Sequence, residues 1–187
     1  MQEPGASHAL AHARNIRLMA FDVDGVLTDG SLYFTASGEE IKAFNTQDGH
    51  GLKMLAACGV RLAIITGRRS RAVELRAQNL GIDLLLQGVE DKREAMRGLL
   101  DQFDLGFGDV GYMGDDVVDL PLLCACGFSA TVPDGHALVK KHVAYVASLP
   151  AGRGAVREVC ELILSAQNKL DAAMSVYLAP HPGISPA

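Results

Sequence analysis

The sequence predicts a doubly wound, Rossmann-like α/β domain: a parallel sheet with helices on both faces, one inserted β-hairpin and no cap domain. Two observations carry this expectation. Between residues 16 and 170, short apolar runs of buried-strand character alternate with longer segments of helical periodicity, as parallel strands joined by crossover helices require. No insertion approaches the ~100 residues that a second domain would need. The one interruption is a short hairpin after the first strand.

Taken in order, residues 1–15 read as a loose, disordered extension. The first strand is expected over 16–23, around the apolar run from Leu18 to Phe21. Short alternating runs at 31–34 and 41–45 flank Ala36-Ser37-Gly38-Glu39, a hairpin signature. A helix over 48–58 carries Leu52, Leu55 and Ala56 at helical spacing and stops at Gly59, which suits a left-handed cap. Strand 60–65, a helix over 69–80 closed by Gly81, and strand 83–87 follow. The helix expected over 91–103 places Ala95, Leu99 and Leu100 on one face. Beyond strand 110–113 come a helix at 117–126, an extended run at 128–132 and a short helix at 135–142. Tyr145 and Val146 form a last short strand, and a long amphipathic helix spans 154–170. Residues 171–187 are expected to be a flexible tail, disordered from Ala179 with its Pro180, Pro182 and Pro186.

The bulk properties exclude several functions. A net charge of −5 offers no basic field for nucleic acid or a membrane surface, although a local cation cluster could still hold a small phosphorylated substrate. No stretch reaches the ~20 apolar residues that span a bilayer. The first 15 residues lack the continuous apolar region of a secretory signal. Four cysteines, Cys58, Cys124, Cys126 and Cys160, lack zinc-site spacing and read as buried free thiols. A cytoplasmic protein is expected.

The chemistry gathers at strand ends. Asp22 and Asp24 are two apart after the first strand, so both project from the same face at its C-terminal end, where open α/β sheets bind ligands. Two carboxylates held that close call for a cation, and a hard divalent metal suits them. One of the pair is then free to act as a nucleophile. Such a pair alone often only caps a turn; three further strand ends give it company. Thr66-Gly67-Arg68 offers a hydroxyl and turn N–H groups for phosphate oxygens. Lys92 opens the helix after Gln87-Gly88-Val89 and could neutralise phosphate charge. Gly114-Asp115-Asp116 supplies a further metal carboxylate, while Asp116 and Asp119 serve either the helix N-terminus or the surroundings of the metal.

In this order and context, FDVDGVLTDG, IITGR, Lys92 and GDDVVD resemble the four signature motifs of the haloacid dehalogenase superfamily. The resemblance implies that Asp22 is the nucleophile that forms an aspartyl phosphate, and that Asp24 is acid for the leaving alcohol and then base for water. It implies that Thr66 binds the phosphoryl group and that Lys92 stabilises its charge. Mg²⁺ would be held by Asp22, Asp115 and the backbone oxygen of Asp24.

Within the superfamily, DGVLTDGSLY, GEEIKAFNTQDGHG, AIITGR, GDDVVDLP and GRGAVREVCELIL are similar, across most of 16–170, to the capless phosphatases of 3-deoxy-D-manno-octulosonate 8-phosphate, a precursor of lipopolysaccharide. That likeness implies a homotetramer whose hairpins cap neighbouring active sites. It also implies substrate contacts from Asp24, Asn45, Thr46, Gln47, Asp48, Gly49, Lys53, Gly67, Arg68, Arg76 and Lys92, with sugar hydroxyls falling to Asn45 and Asp48. Arg153 would reach a neighbour's site. Lys53 departs from the arginine common in relatives. Two alternatives stay open: a phosphatase of nine-carbon keto-deoxy sugar acid 9-phosphates, and a catalytically silent scaffold.

Overall fold

In the computed structural model, which describes residues 4–178, the apolar runs pair as a six-stranded, wholly parallel sheet. Its strands are β1 (Leu18–Phe21), β4 (Arg61–Thr66), β5 (Leu84–Gln87), β6 (Val110–Met113), β7 (Phe128–Thr131) and β8 (Tyr145–Val146), in the spatial order β5-β4-β1-β6-β7-β8. Phe21 pairs with Ile64 on one side and Met113 on the other. The chain therefore leaves β1 in one direction, through β4 to β5, and returns for β6 to β8 on the opposite side. The crevice beyond the carboxyl ends of β1 and β6 is the topological switch point, where such sheets bind ligands.

Strand alternation divides the core into two layers. Met19, Phe21, Leu62, Ile64 and Met113 face a layer with α2 (Thr46–Ala57), α3 (Arg71–Leu80) and α7 (Ala155–Ala166). Leu18, Ala20, Ala63, Ile65 and Tyr112 face α4 (Lys92–Phe103), α5 (Leu120–Leu123) and α6 (Ala137–Lys140). Helices thus cover both faces, as the alternation predicts. Among the described residues, no helix is long and apolar enough to cross a membrane.

Several expectations are corrected. Residues 4–13 are not a loose extension but a helix, α1 (Pro4–Ala13), that buries Ala9 and Ala13 fully. Two alanines four apart make a narrow stripe that fits beside α7, too small to register as an apolar face. The long C-terminal helix breaks at Asn168, which adopts φ +56°, and a further helix, α8 (Leu170–Leu178), occupies residues assigned to the flexible tail. The disorder expected from Ala179 onward lies outside the described residues, as do residues 1–3. The hairpin strands are only β2 (Tyr33–Phe34) and β3 (Glu40–Ile41), because Asn45 is already the N-cap of α2. The helix expected at 117–126 is a 3₁₀ turn, Val117–Asp119, followed by α5. The cysteines are free, but only Cys160 is buried; Cys124 is exposed.

Candidate active site

Asp22 stands directly beyond β1. Its N–H donates to the Met113 carbonyl at 2.9 Å, which keeps the residue in register with β6. Asp22 Oδ1 accepts from the Val23 N–H at 2.7 Å, and Oδ2 lies 2.8 Å from Lys92 Nζ. The chain then winds through one wide turn, Val23–Leu27, in which Gly25 adopts φ +87°. A Cβ on Gly25 would come within 2.2 Å of Asp115 Oδ2. Only glycine satisfies both the backbone angle and the close approach of the second acidic loop.

Lys92 is the first residue of α4, whose N-cap Asp91 accepts from the Glu94 N–H at 2.9 Å. From there the ammonium reaches Asp119 Oδ1 at 2.6 Å and the Tyr112 hydroxyl at 3.1 Å, besides Asp22. Burial pulls its pKa down, but the two carboxylates outweigh burial and raise it. Lys92 is therefore a permanent cation inside the site.

Asp119 is fully buried and fully committed. Oδ1 accepts from Lys92 and, at 2.7 Å, from the Tyr112 hydroxyl; Oδ2 accepts from the N–H groups of Asp115 and Asp116 at 3.1 and 3.2 Å. Carboxylate oxygens of Asp22, Asp115 and Asp119 lie within 4.8 Å of one another. Four hydrogen bonds saturate Asp119, so Asp22 and Asp115 are the pair left to take a cation. Their electrostatics agree. Burial raises Asp22, with Lys92 opposing and Asp119 adding to the rise. Asp115 is pushed up to about 7 by burial and by the facing charges of Asp22, Asp119 and Asp116. One lysine does not balance this many acids, and a hard divalent cation fits the oxygen donors.

Thr66 closes β4 next to β1 and is buried; its carbonyl accepts the Val89 N–H at 3.1 Å, which ties the Gly67 turn to the loop before α4. Asp24 is not among the clustered carboxylates. Its Oδ1 accepts a hydrogen bond from Lys42 of the hairpin, and Arg68 Nε lies 3.7 Å from its Oδ2. Arg68 also donates to Glu40 Oε1 at 3.2 Å. The structure thus gathers Asp22, Asp24, Thr66, Lys92 and Asp115 at the strand ends, with Arg68 at the rim.

The second predicted group divides differently. Asp48 is buried, and its oxygens accept from the N–H groups of Gly154 and Arg157 at 3.2 and 2.8 Å. It thereby caps the start of α7, a structural role that the sequence did not announce. The Asn45 side chain caps α2 by accepting from Gln47 and Asp48 N–H groups. Arg76 donates to the Asn45 carbonyl at 3.0 Å and lies over the Phe44 ring, in space that a Cβ on Gly49 would fill. Asn45, Asp48, Gly49 and Arg76 therefore form a brace that fixes the start of α2. Thr46, Gln47 and Lys53 are exposed on α2. Arg153 is exposed and shares a cavity of ≈ 170 Å³ with Asp29, Phe44 and Asn45.

Sequence reasoning missed Lys42, Glu40 and Tyr112 and left Asp119 ambiguous. The i, i+4 spacing of Asp115 and Asp119 was the one available signal. Lys42 and Glu40 gave none, because only the folded hairpin brings them to Asp24.

The fold and this acidic, lysine-bearing crevice define a hydrolase of the haloacid dehalogenase superfamily. No protein-family model matches the sequence. The chain is 46% identical over 175 residues to the 3-deoxy-D-manno-octulosonate 8-phosphate phosphatase of Yersinia pestis, covering 94% of both chains. It is 45% identical over 170 residues to the Salmonella typhi enzyme of that name, covering 91% of this chain and 90% of that one. The Moraxella catarrhalis enzyme, solved in complex with magnesium, phosphate and KDO, superposes with a TM-score of 0.89 at 43% identity, over 90% of this chain and 97% of that one. This chain belongs to the 3-deoxy-D-manno-octulosonate 8-phosphate phosphatase family.

Proposed function

We propose that the protein hydrolyses 3-deoxy-D-manno-octulosonate 8-phosphate to the free sugar acid and phosphate, with Mg²⁺, through an aspartyl phosphate on Asp22. The observation that carries this reading is the meeting of Asp22, Asp24, Thr66, Lys92 and Asp115 beyond adjacent strand ends. Phosphoryl transfer needs chiefly positioning and charge stabilisation. Asp22 is fixed by Val23 and Lys92 and offers its carboxylate to phosphorus. Lys92 stays charged to receive phosphoryl oxygens, and Thr66, at the end of neighbouring β4, supplies a hydroxyl. Asp24, on the far side of Asp22's turn, gives a proton to the departing sugar oxygen. Mg²⁺ held by Asp22, Asp115 and the Asp24 carbonyl would draw charge from the phosphoryl oxygens. The Asp24 side chain, bound to Lys42, stays off the metal.

The hairpin supports the quaternary part of the proposal. Leu32, Tyr33, Phe34 and Ile41 are exposed on it, Phe34 by 58%. So apolar a surface on two-residue strands suits contact with further copies. We place the enzyme as a cytoplasmic homotetramer whose hairpins cap neighbouring sites, working in lipopolysaccharide synthesis. The test is kcat/KM for the eight-carbon substrate against a nine-carbon keto-deoxy sugar acid 9-phosphate, with the mass measured by light scattering. Preference for the eight-carbon substrate by at least ~10-fold is expected, a ratio that differential contacts readily supply. Equal rates would sink the substrate assignment, and a monomer the assembly.

Asp115 gives a pH signature. Binding of Mg²⁺ needs its carboxylate form, and in the metal-free protein its pKa is about 7. Mg²⁺ must therefore displace a proton below that pH. Affinity should fall by up to ~10-fold per pH unit below 7 and level off above 8. The stability sign agrees. The folded pKa lies above the ordinary 3.8, so the metal-free fold loses stability as pH rises from about 4 through about 7. Mg²⁺ should then raise Tm more at pH 8 than at pH 5.5. Titration calorimetry at both values checks this, and a pH-independent Kd would refute it.

A further inference from the structure

Lys42 lies one residue beyond β3, on a hairpin whose neighbouring Ile41 is half exposed, yet its own side chain is only 1% exposed. Burying a flexible ammonium costs side-chain entropy and solvation unless charge partners offset them. Its partners are Asp24 Oδ1, by hydrogen bond, and Glu40 Oε1 at 3.3 Å. Arg68 brackets the same two acids from the solvent side. The other oxygen of Asp24 is different: among the described residues, Oδ2 is buried and has no hydrogen-bond partner. Arg68 Nε, 3.7 Å away, is an ion-pair neighbour beyond hydrogen-bond reach, so Oδ2 keeps its hydrogen-bonding capacity for a group that arrives.

We propose that Lys42 is a positioning residue for proton transfer: by gripping Oδ1 of Asp24 it aims Oδ2 at the oxygen that leaves phosphorus. The inference rests on the reading of Asp24 as the proton donor. In the first step an Asp22 oxygen bonds phosphorus as the bond from phosphorus to the sugar oxygen breaks. The proton on Asp24 Oδ2 moves to that oxygen, leaving a neutral alcohol and an Asp24 carboxylate. In the second step water bonds phosphorus and gives its proton to Asp24, while the bond from phosphorus to Asp22 breaks and phosphate departs. Lys42 shares its charge between Asp24 and Glu40 throughout and touches neither phosphorus nor the leaving group. It lets the hairpin set the rotamer of Asp24, so hairpin placement and proton delivery become one geometric condition.

The leaving group supplies the test. A sugar alkoxide needs a proton as it departs, whereas p-nitrophenolate leaves without one. Single-turnover release of the product alcohol, with enzyme in excess, reads the first step alone. For Lys42→Met, release of the sugar acid from its phosphate should slow by ~10- to 100-fold, the lower part of what a positioned proton donor contributes. Release of p-nitrophenolate from p-nitrophenyl phosphate should stay within about threefold of wild type, as should KM for the sugar acid phosphate. Lys42→Arg should recover most of the lost rate. Equal slowing of both substrates would mean a purely structural lysine and overturn the proposal. A raised KM at unchanged kcat would make Lys42 a substrate contact and also overturn it, as would wild-type rates throughout. Asp24→Asn separates the two layers. If it releases sugar acid at the wild-type rate, the proton-donor reading itself fails. If it is slow while Lys42→Met is normal, only the positioning role fails.

Discussion

Asp22→Asn is expected to abolish turnover, lowering kcat by ~10⁴-fold or more, because on the proposed mechanism it removes the nucleophile outright. Asparagine has nearly the shape of aspartate, and its oxygen can still accept the Val23 N–H that Oδ1 accepts now. Its amide nitrogen would face Lys92 Nζ, which lies 2.8 Å from the present Oδ2, donor against donor. That local repulsion is offset by relief from burying a carboxylate whose pKa burial already raises. The variant should therefore fold and melt close to wild type while releasing no phosphate. Asp22→Ala should add a second defect, weaker metal binding, since of the clustered carboxylates it leaves only Asp115 beside the saturated Asp119. Phosphate release and circular-dichroism melting on the same samples check both. Asp22→Asn activity within tenfold of wild type would exclude the covalent mechanism.

Lys92→Met should lose both activity and stability. The ammonium is held between Asp22 and Asp119 and touches Tyr112, with almost no exposure. Removing one partner of a buried charge network typically costs ~3–5 kcal/mol, because the remaining charges stay buried without compensation. Methionine fills most of the volume, so the loss would be electrostatic rather than a cavity effect. The pH dependence identifies it. Lys92 is the strongest influence opposing the rise in Asp22, and without it the folded pKa of Asp22 moves further above its ordinary value. A raised folded pKa gives stability at low pH that disappears as pH climbs. The variant should thus approach wild type near pH 4 and fall away above it. Urea unfolding at pH 4.5 and 8 measures this, and a pH-independent deficit would assign the loss to packing.

The two variants bracket what could be read in advance. The polar ends of β1, β4 and β6 were legible because an apolar strand followed at once by Asp, Thr-Gly or Gly-Asp has few structural meanings, and strand periodicity fixes the direction of its side chains. The structural work of the residues expected at the sugar was less legible. Asn45 and Asp48 are polar residues at the start of α2, where orphan backbone N–H groups also make use of such side chains, and Arg76 reaches the Asn45 carbonyl from within α3. Asp48 went to α7, which starts more than a hundred residues later in the chain, a demand invisible locally. The helix at residues 4–13 escaped notice because the side chains it is described as burying, Ala9 and Ala13, are alanines, whose packing value depends on how closely a neighbour approaches.

The sequence by itself determined the sheet, its direction and the four chemical strand ends, since strand-and-helix alternation and the alternation of side chains along a strand are local properties. Only the tertiary structure decided how those groups divide their labour. It closed Lys92, Asp119 and Tyr112 into one buried network, left Asp22 and Asp115 as the acids not saturated by hydrogen bonds, and brought Lys42 from the hairpin onto Asp24. These are contacts between residues distant in sequence. Hydrogen-bond saturation and mutual charge, which decide what each carboxylate can do, exist only once the chain has brought them within a few ångströms.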